Sequence, residues 1–284
     1  MPDFPIIDAH VHLYDPAAIG YPWMATVPML NMPHGPAEFT AALGSITVEK
    51  LVFVEVDAGP GLHLAEARWI EALAKTDPRI RGMVASMPLE EGAAMGDDIV
   101  AFAKMPLARA VRRLIQAHAD EPGWCLRPAF VNGVKAVARH GLAFEICIYH
   151  AQMGDAIELV RRCPEVSFVL DHIGKPGIKA GLMEPWRTEI RALAEFTNVV
   201  CKISGAVTEA DHQEWTYDQV APYVAHAIEV FGFGRIMFGG DWPVVNLASN
   251  YQGWVAMLDR ITAGSSPDDL RRLYRDNAAA FYRL

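Results

Sequence analysis

The sequence has few cysteines, and nothing in it groups them. The four thiols are scattered, and no Cys-x-x-Cys pair occurs. Cys147 and Cys201 fall inside apolar runs that are typical of strands, whereas Cys125 and Cys163 stand apart from them. This pattern favours reduced, buried thiols over a disulfide framework or a zinc–thiolate site.

The sequence also lacks long apolar runs and an excess of basic residues. No stretch approaches the roughly 18 apolar residues that a membrane-spanning helix needs. Residues 1–8 contain no basic segment followed by an apolar one, so we expect no signal peptide and a cytoplasmic protein. The formal net charge of -9 leaves no basic stripe for a nucleic acid, and it indicates ordinary solubility.

The first notable feature present is the stretch 6–13, Ile-Ile-Asp-Ala-His-Val-His-Leu. Its apolar, β-branched start predicts a strand, on which His10 and His12 would point to the same face. The residues between them would face the other side, which must also be apolar, as in a parallel sheet covered by helices. Two imidazoles on one strand are half of a metal site, and two hydrogen-bonded histidines near a strand end are the alternative. The residues expected on the opposite face are Ile7, Ala9 and Val11.

Strand-like runs alternate with segments of helical spacing along the whole chain. This alternation predicts parallel strands joined by right-handed crossovers. Eight units in 284 residues predict a single α/β domain over residues 1–284, a closed (β/α)8 TIM barrel, with a doubly wound open sheet as the fallback. No Walker A sequence occurs, and Gly232-Phe-Gly234 precedes a strand, unlike a dinucleotide-binding motif. The predicted strands are 6–13, 50–57, 80–89, 108–116, 142–150, 166–172, 199–204 and 235–240, and the predicted helices are about 62–76, 93–104, 127–140, 153–163, 186–196, 218–230 and 251–262, with a last one beginning at Ser266.

Residues 14–37 interrupt this alternation. They are rich in proline, methionine and aromatic residues, among them Trp23. The stretch is too irregular for a helix and too aromatic for a linker. It either folds over the mouth of a site as a lid or packs as a surface loop.

Polar residues of the metal-ligand type gather at the predicted carboxyl ends of the strands, where barrel enzymes carry their chemistry. Four of the ten histidines, His10, His12, His150 and His172, occupy such ends, and so does Asp241. Imidazoles and a carboxylate suit Zn²⁺ or a similar divalent ion that keeps one position open for water. We expect Asp241 to take a proton from that water as general base, although capping of the following turn would also place an aspartate there.

Four motifs together resemble the amidohydrolase superfamily. They are Asp-Ala-His-Val-His at 8–12, Leu-Asp-His-Ile-Gly-Lys-Pro at 170–176, Cys-Lys-Ile-Ser-Gly at 201–205 and Phe-Gly-Gly-Asp-Trp-Pro at 238–243. More narrowly they resemble its amidohydrolase-related branch, which contains L-fuconolactonase, L-rhamnonolactonase, sulfomuconolactone hydrolase and 2-pyrone-4,6-dicarboxylate lactonase. The resemblance covers essentially the whole chain.

The resemblance implies a distorted (β/α)8 barrel and a set of metal ligands. His10, His12 and Asp241 match the residues at the active site, and His150 matches a ligand on the fifth strand. His172 matches a histidine of the sixth strand that either binds metal or acts on the substrate. Binuclear members carry a lysine on the fourth strand; here that strand, 108–116, has none, so the resemblance implies at most one metal ion, zinc being expected.

Other candidates concern the substrate, and each has an alternative. Arg112 would bind a carboxylate or polarise a lactone carbonyl, or it forms an ion pair with Asp171 or Glu145. Trp23 and Trp242 would stack on a sugar ring, or they are plain lid or core aromatics. Lys175 would steady an anionic oxygen, or it pairs with an acid; the same holds for Lys202.

The resulting functional hypothesis is a lactonase that opens a small lactone of a sugar acid or a related carboxylate. The stretch 205–211 resembles the corresponding part of sugar-acid lactonases and favours hydroxylated substrates. A decarboxylase of the aminocarboxymuconate semialdehyde type is the alternative, and a non-catalytic binding protein is a third reading. The sequence does not select the lactone, its ring size or its stereochemistry, and it leaves a homo-oligomer open.

Overall fold

Eight parallel strands form one sheet in which each strand pairs with the next one along the chain. The computed structural model describes residues 3–284, apart from the side chain of Ala93. Met1 and Pro2, at the start of the segment in which no signal peptide is expected, lie outside the described residues. The strands are β1 (Ile6–Val11), β2 (Val48–Val54), β3 (Ile80–Ser86), β4 (Ala108–Leu114), β5 (Ala143–Cys147), β6 (Phe168–Leu170), β7 (Val199–Ile203) and β8 (Ile236–Phe238).

The helices follow the strands as the alternation predicts, and a (β/α)8 barrel is confirmed. One helix was not predicted: α1 begins at Pro36, where the sequence suggested only an irregular stretch. Within residues 3–284, none of the helices is both long and apolar enough to cross a membrane. The helices are α1 (Pro36–Leu43), α2 (His63–Leu73), α3 (Gly96–Ala103), α4 (Pro128–Arg139), α5 (Met153–Arg162), α6 (Trp186–Ala194), α7 (Tyr217–Phe231), α8 (Tyr251–Ile261), α9 (Pro267–Arg271) and α10 (Asn277–Tyr282), the last two joined by a π-helical turn at Arg272–Asp276.

The barrel is distorted where β8 returns to β1. In the described part of the chain these two strands meet through a single parallel bridge between Val11 and Trp242, beyond the end of β8. The His12 backbone N–H donates to the Trp242 carbonyl (2.8 Å), and that of Asp241 donates to the His10 carbonyl (2.9 Å). The closing contacts therefore lie at the carboxyl end of the barrel, beside the predicted site.

The first strand does not alternate as predicted. Ile7 and Ala9 pack inside the barrel with valines of β2 and β3, whereas Val11 packs in the cluster between the sheet and the helices. His10 also points inward, because it reaches side chains of β4 and β7 and that of Asp171, the residue after β6. The pairing of β1 with β2 shifts register between Asp8 and Val11. An irregularity of this kind re-aims side chains, and for this reason the assignment of Ile7 and Ala9 to the face opposite His10 is wrong.

The C-terminal helix closes the amino end of the barrel. Ala278 and Tyr282 belong to the interior cluster, and the Tyr282 hydroxyl donates to the buried carboxylate of Glu145 on β5. The Lys50 ammonium binds the Leu284 carbonyl at 3.2 Å. The floor of the interior is thus fixed, and the carboxyl end is the face that is open to substrates.

A buried acid on α2 makes the stability of this fold sensitive to pH. Glu66 is 1% exposed, and its Oε1 accepts from the Val56 backbone N–H at 3.2 Å, just below the loop that follows β2. Burial, together with the charge of Glu55, raises the pKa of Glu66 from 4.5 to about 8. The native carboxyl thus keeps its proton in a pH range in which the unfolded one loses it.

We therefore expect Glu66 to reduce the free energy of unfolding as the pH rises from about 5 to 8. An acid whose pKa is raised in the native state stabilises that state most below this pH range. For one proton, the free energy of unfolding changes by at most about 1.4 kcal/mol per pH unit. Urea titrations between pH 5 and 9 should show a smaller decline for Glu66→Gln than for the wild type. Glu71→Gln, on the same helix, is the control and should decline like the wild type. Parallel curves for Glu66→Gln and the wild type would contradict the prediction.

Candidate active site

A cavity of about 440 Å³ opens at the carboxyl ends of the strands. Its wall on one side is the stretch 14–37, which contributes Tyr14, Trp23, Val27 and Leu30. Part of that stretch forms two 3₁₀ turns, Pro22–Thr26 and Pro28–Leu30, and so it covers one side of the site. The polar groups that line the cavity are His12, Glu55, Asp57, Arg112, Gln116, Cys147, Tyr149, His172, Lys175, Thr208 and Asp241.

The structure brings four of the predicted site residues together at the base of this cavity. The Nε2 atoms of His10 and His12 lie 3.2 Å apart. Asp241 Oδ1 lies 3.7 Å from the first and 3.4 Å from the second. His172 faces the other carboxylate oxygen, with 3.8 Å between its Nδ1 and Asp241 Oδ2. All four side chains are buried.

The donor set at this base fits one divalent cation. The His12 Nδ1 lies 2.9 Å from the Val54 carbonyl, which can only accept, so Nδ1 carries the proton and Nε2 offers its lone pair. The His10 Nε2 faces the Arg112 Nη1, a donor, at 3.4 Å, and its Nδ1 faces Asp171 at 3.5 Å. A carboxylate that holds one ring nitrogen of a histidine is a usual support for a metal ligand. The Lys202 ammonium also lies 3.3 Å from the His10 Nδ1. The lone pairs of His10 and His12 and the Asp241 carboxylate thus converge on one point.

Burial and neighbouring imidazoles fix the charges at this point. Burial alone would raise the pKa of Asp241, but His172, His12 and His10 outweigh it, and that pKa lies well below its ordinary value. Burial lowers the pKa of His172 to about 4, although Asp241 opposes the shift. Burial and the Lys202 charge also hold the pKa of His10 well below its ordinary value. At neutral pH the site therefore presents an ionised Asp241 carboxylate beside the neutral imidazoles of His10 and His172.

Two features that hold His172 and Asp241 in place were not predicted. The Ser204 hydroxyl, at the end of β7, lies 3.0 Å from His172 Nδ1 and orients the ring. Glycine is required before Asp241, because a Cβ on Gly240 would lie 2.3 Å from the Tyr251 ring. Tyr251 in turn donates to Asp8 at 2.9 Å. Ser204 and Gly240 belong to the motifs at 201–205 and 238–243, and in the sequence only this could have signalled their roles.

Arg112 belongs to a buried ion network, the alternative that the sequence left open. Its Nε donates to Glu55 Oε1 at 2.6 Å, its Nη2 donates to the Glu55 carbonyl at 2.8 Å, and its Nη1 lies 3.2 Å from Asp171 Oδ2. Lys202 continues the network, 3.3 Å from Asp171 and 2.5 Å from Glu145. With its donors already engaged, Arg112 is better placed to hold the base of the site rigid than to bind a substrate carboxylate.

His150 is not among the residues that line the cavity or gather around Asp241, so this geometry does not support its predicted role as a metal ligand. Strand β5 ends at Cys147, and His150 lies three residues later in a short 3₁₀ turn. Its ring packs against the loop after β6: a Cβ on Gly177 would lie 2.9 Å from its Nε2. The residue at the end of β5 that does line the cavity is Cys147. The predicted strand was too long, and the turn carries His150 outward.

The three predicted substrate contacts have different positions. Trp242 is a core residue, packed edge-on against His34 and at 5.3 Å from the Phe39 ring, and it does not line the cavity. Trp23 does line it, and its indole N–H donates to a backbone carbonyl at 2.8 Å. Lys175 also lines it, with its ammonium 3.9 Å from Glu209 and over the Tyr149 ring. Trp23 and Lys175 are therefore available to a ligand.

Comparisons with known proteins agree with this geometry. An L-fucono-1,5-lactonase from Burkholderia ambifaria is 30% identical over 285 residues, which cover 98% of this chain and 95% of that enzyme. A 4-sulfomuconolactone hydrolase from Rhizobium radiobacter is 25% identical over 83% of this chain and 75% of its own. A crystal structure of an amidohydrolase from Burkholderia multivorans with bound zinc has a TM-score of 0.88 and 27% identity, with 99% of this chain and 100% of that one covered. The amidohydrolase family model matches residues 7–284, and the chain therefore belongs to that family.

Proposed function

We propose that the protein is a lactonase that hydrolyses a small sugar-acid lactone or a related carboxylate lactone. The observation that carries the proposal is the ionised Asp241, buried among three imidazoles at the base of an open cavity. The lactonases among its relatives support the choice of a cyclic ester as substrate.

Asp241 would act as the general base. A water molecule between its carboxylate and the lactone carbonyl gives a proton to Asp241 while its oxygen attacks the carbonyl carbon. The resulting tetrahedral species breaks the bond between that carbon and the ring oxygen. Protonated Asp241 returns the proton to the departing ring oxygen, so that the products are a hydroxy acid and the original carboxylate.

The negative charge that develops on the carbonyl oxygen needs donors fixed in advance. Lys175 lines the cavity and supplies an ammonium group. His172 is neutral, and in the proposed reaction the Ser204 hydroxyl, 3.0 Å from its Nδ1, would donate to that nitrogen and leave the ring proton on Nε2, free to donate. Preorganised donors of this kind are usually the largest contribution to acyl transfer.

His10, His12 and Asp241 would hold one divalent cation, zinc being our choice. When bound, such an ion polarises a carbonyl oxygen and lowers the pKa of a nearby water molecule. We expect no second cation, because β4 carries Arg112 and Arg113 and no lysine that could bridge two ions.

Replacing the proposed base should abolish most of the turnover. Asp241 has a φ of 52°, a conformation that asparagine tolerates, so Asp241→Asn keeps the backbone while removing the proton acceptor. We expect kcat to fall by about 10²- to 10⁴-fold. The assay is a pH-indicator screen over sugar-acid 1,4- and 1,5-lactones and muconolactones.

Asp211→Asn is the matched control, because Asp211 is an exposed acid paired with Lys179 on a loop at the same end of the barrel. Its turnover should equal that of the wild type. Near-normal turnover by Asp241→Asn would exclude the proposed mechanism. If no lactone releases acid and a carboxylated substrate releases carbon dioxide, the decarboxylase alternative replaces the lactonase.

Removal of metal should separate the role of the cation from that of Asp241. We expect about one equivalent of zinc per chain, loss of activity on chelation and recovery when zinc is returned. Elemental analysis of His12→Ala should show less bound metal than the wild type. Turnover that is indifferent to chelation would leave water activation to Asp241 and His172 alone and would contradict the cation proposal.

A further inference from the structure

Asp57 lies where the active-site cavity meets a second one. It follows β2 and is partly buried. The second cavity has a volume of about 460 Å³ and lies beside the first, at the ends of β2 to β4. Trp23, Asp57 and Ala117 line both cavities. Asp57 is therefore within reach of a ligand in either cavity.

The backbone of Asp57 is held in a conformation that side chains rarely adopt. Its φ is 54°. Six non-glycine residues of the described chain have a positive φ, and Asp57 is one of them. Four more lie in the loops after β6 and β8: His172, Ile173, Lys175 and Asp241. Such strain persists only where the surroundings impose it, and it is concentrated at functional sites. The Asp57 N–H donates to the buried Glu55 at 2.6 Å, which ties this loop to the network of Arg112.

The carboxylate of Asp57 is not used by the fold. Within residues 3–284 it makes neither a hydrogen bond nor an ion pair, although its backbone is tightly held. The nearest candidate cations are engaged elsewhere: Arg113 pairs with Glu90 through two nitrogens, and Arg112 pairs with Glu55. Burial raises the pKa of Asp57, and the negative charge of Glu55 adds to this shift. Such a shift is expected for a carboxylate that is partly desolvated and unpaired.

A free carboxylate beside an indole is suited to a polyhydroxylated ring. Its two oxygens accept hydrogen bonds from neighbouring hydroxyl groups, and charge makes such bonds stronger than neutral ones. Trp23 offers an aromatic face to the apolar side of the same ring, and its N–H is already bonded to the Val56 carbonyl. A substrate carboxylate at this position would be repelled by Asp57, whose own carboxylate pairs with no cation in the described residues.

On the basis of the proposed lactonase function, we infer that Asp57 determines specificity by binding the hydroxyl groups of a neutral, polyhydroxylated lactone. The hydroxylated part of the substrate lies against Trp23, where the two cavities join. The ester carbonyl lies at the other side, near Asp241. This assigns the substrate to the sugar-acid lactones and excludes dicarboxylate lactones with a charge at this end.

The test removes the carboxylate without adding strain. Asp57→Gly keeps a positive φ at no steric cost, and Asp57→Asn keeps the shape while removing the charge. Both variants and the wild type are assayed on the fastest sugar-acid lactone of the screen and on its monodeoxy analogues. We expect Asp57→Gly to lower kcat/KM about 10- to 100-fold on the parent lactone, mainly through KM, as for a hydrogen bond to a charged group. On the analogue that lacks the bound hydroxyl the loss should be under about 3-fold, because the interaction is already absent.

Glu91→Gln is the matched control, since Glu91 lines only the second cavity and the change removes one negative charge there as well. It should leave kcat/KM unchanged. Equal losses for Asp57→Gly on the parent and on every deoxy analogue, or no loss at all, would overturn the inference. Wild-type activity confined to lactones without hydroxyl groups would overturn it and leave the lactonase proposal intact. Failure of the wild type on every lactone would instead reject the proposed function itself.

Discussion

The geometry of this site depends on one buried carboxylate that does not line the cavity. Asp8 accepts hydrogen bonds from the backbone N–H groups of His10 and Gly240, both at 2.9 Å, and from the Tyr251 hydroxyl. It thereby joins the first strand to the end of the last one, where the barrel closes. Burial raises the pKa of Asp8 to about 7, opposed by these hydrogen bonds. The distance between the histidine pair and Asp241 is set by this junction.

The interior of the barrel beneath the cavity holds polar groups that an ordinary core would exclude. Arg112, Glu145, Asp171 and Lys202 are all buried, and they are tolerated because each is paired inside one network. Breaking such a network by removing one partner leaves an uncompensated charge, which is why it restricts the side chains around it. The strained backbone of the loops above it adds a second constraint. Rigidity beneath the cavity therefore comes from electrostatics and not from apolar packing alone.

Two groups of residues with different proposed roles line the cavity. In the proposed reaction the ester carbonyl lies near Asp241, His172 and Lys175. Asp57 and Trp23 border the passage to the neighbouring cavity. In (β/α)8 barrels the scaffold is shared by many enzymes, and the loops after the strands decide the substrate. The first group belongs to the proposed reaction, and the second belongs to the proposed choice of substrate.

The sequence by itself determined the barrel, because the periods of strands and helices are local properties of the chain. It also pointed to Asp241 and His172, which lie two or three residues beyond a strand end and line the cavity. Only the tertiary structure decided that His150 turns away from the cluster, that Trp242 belongs to the core and that Arg112 is paired. These outcomes depend on a turn after β5, on aromatic packing around α1 and on acids that are distant in sequence, none of which leaves a periodic signal. Side chains that meet across a barrel are neighbours only in space, so local patterns cannot show which of them will pair.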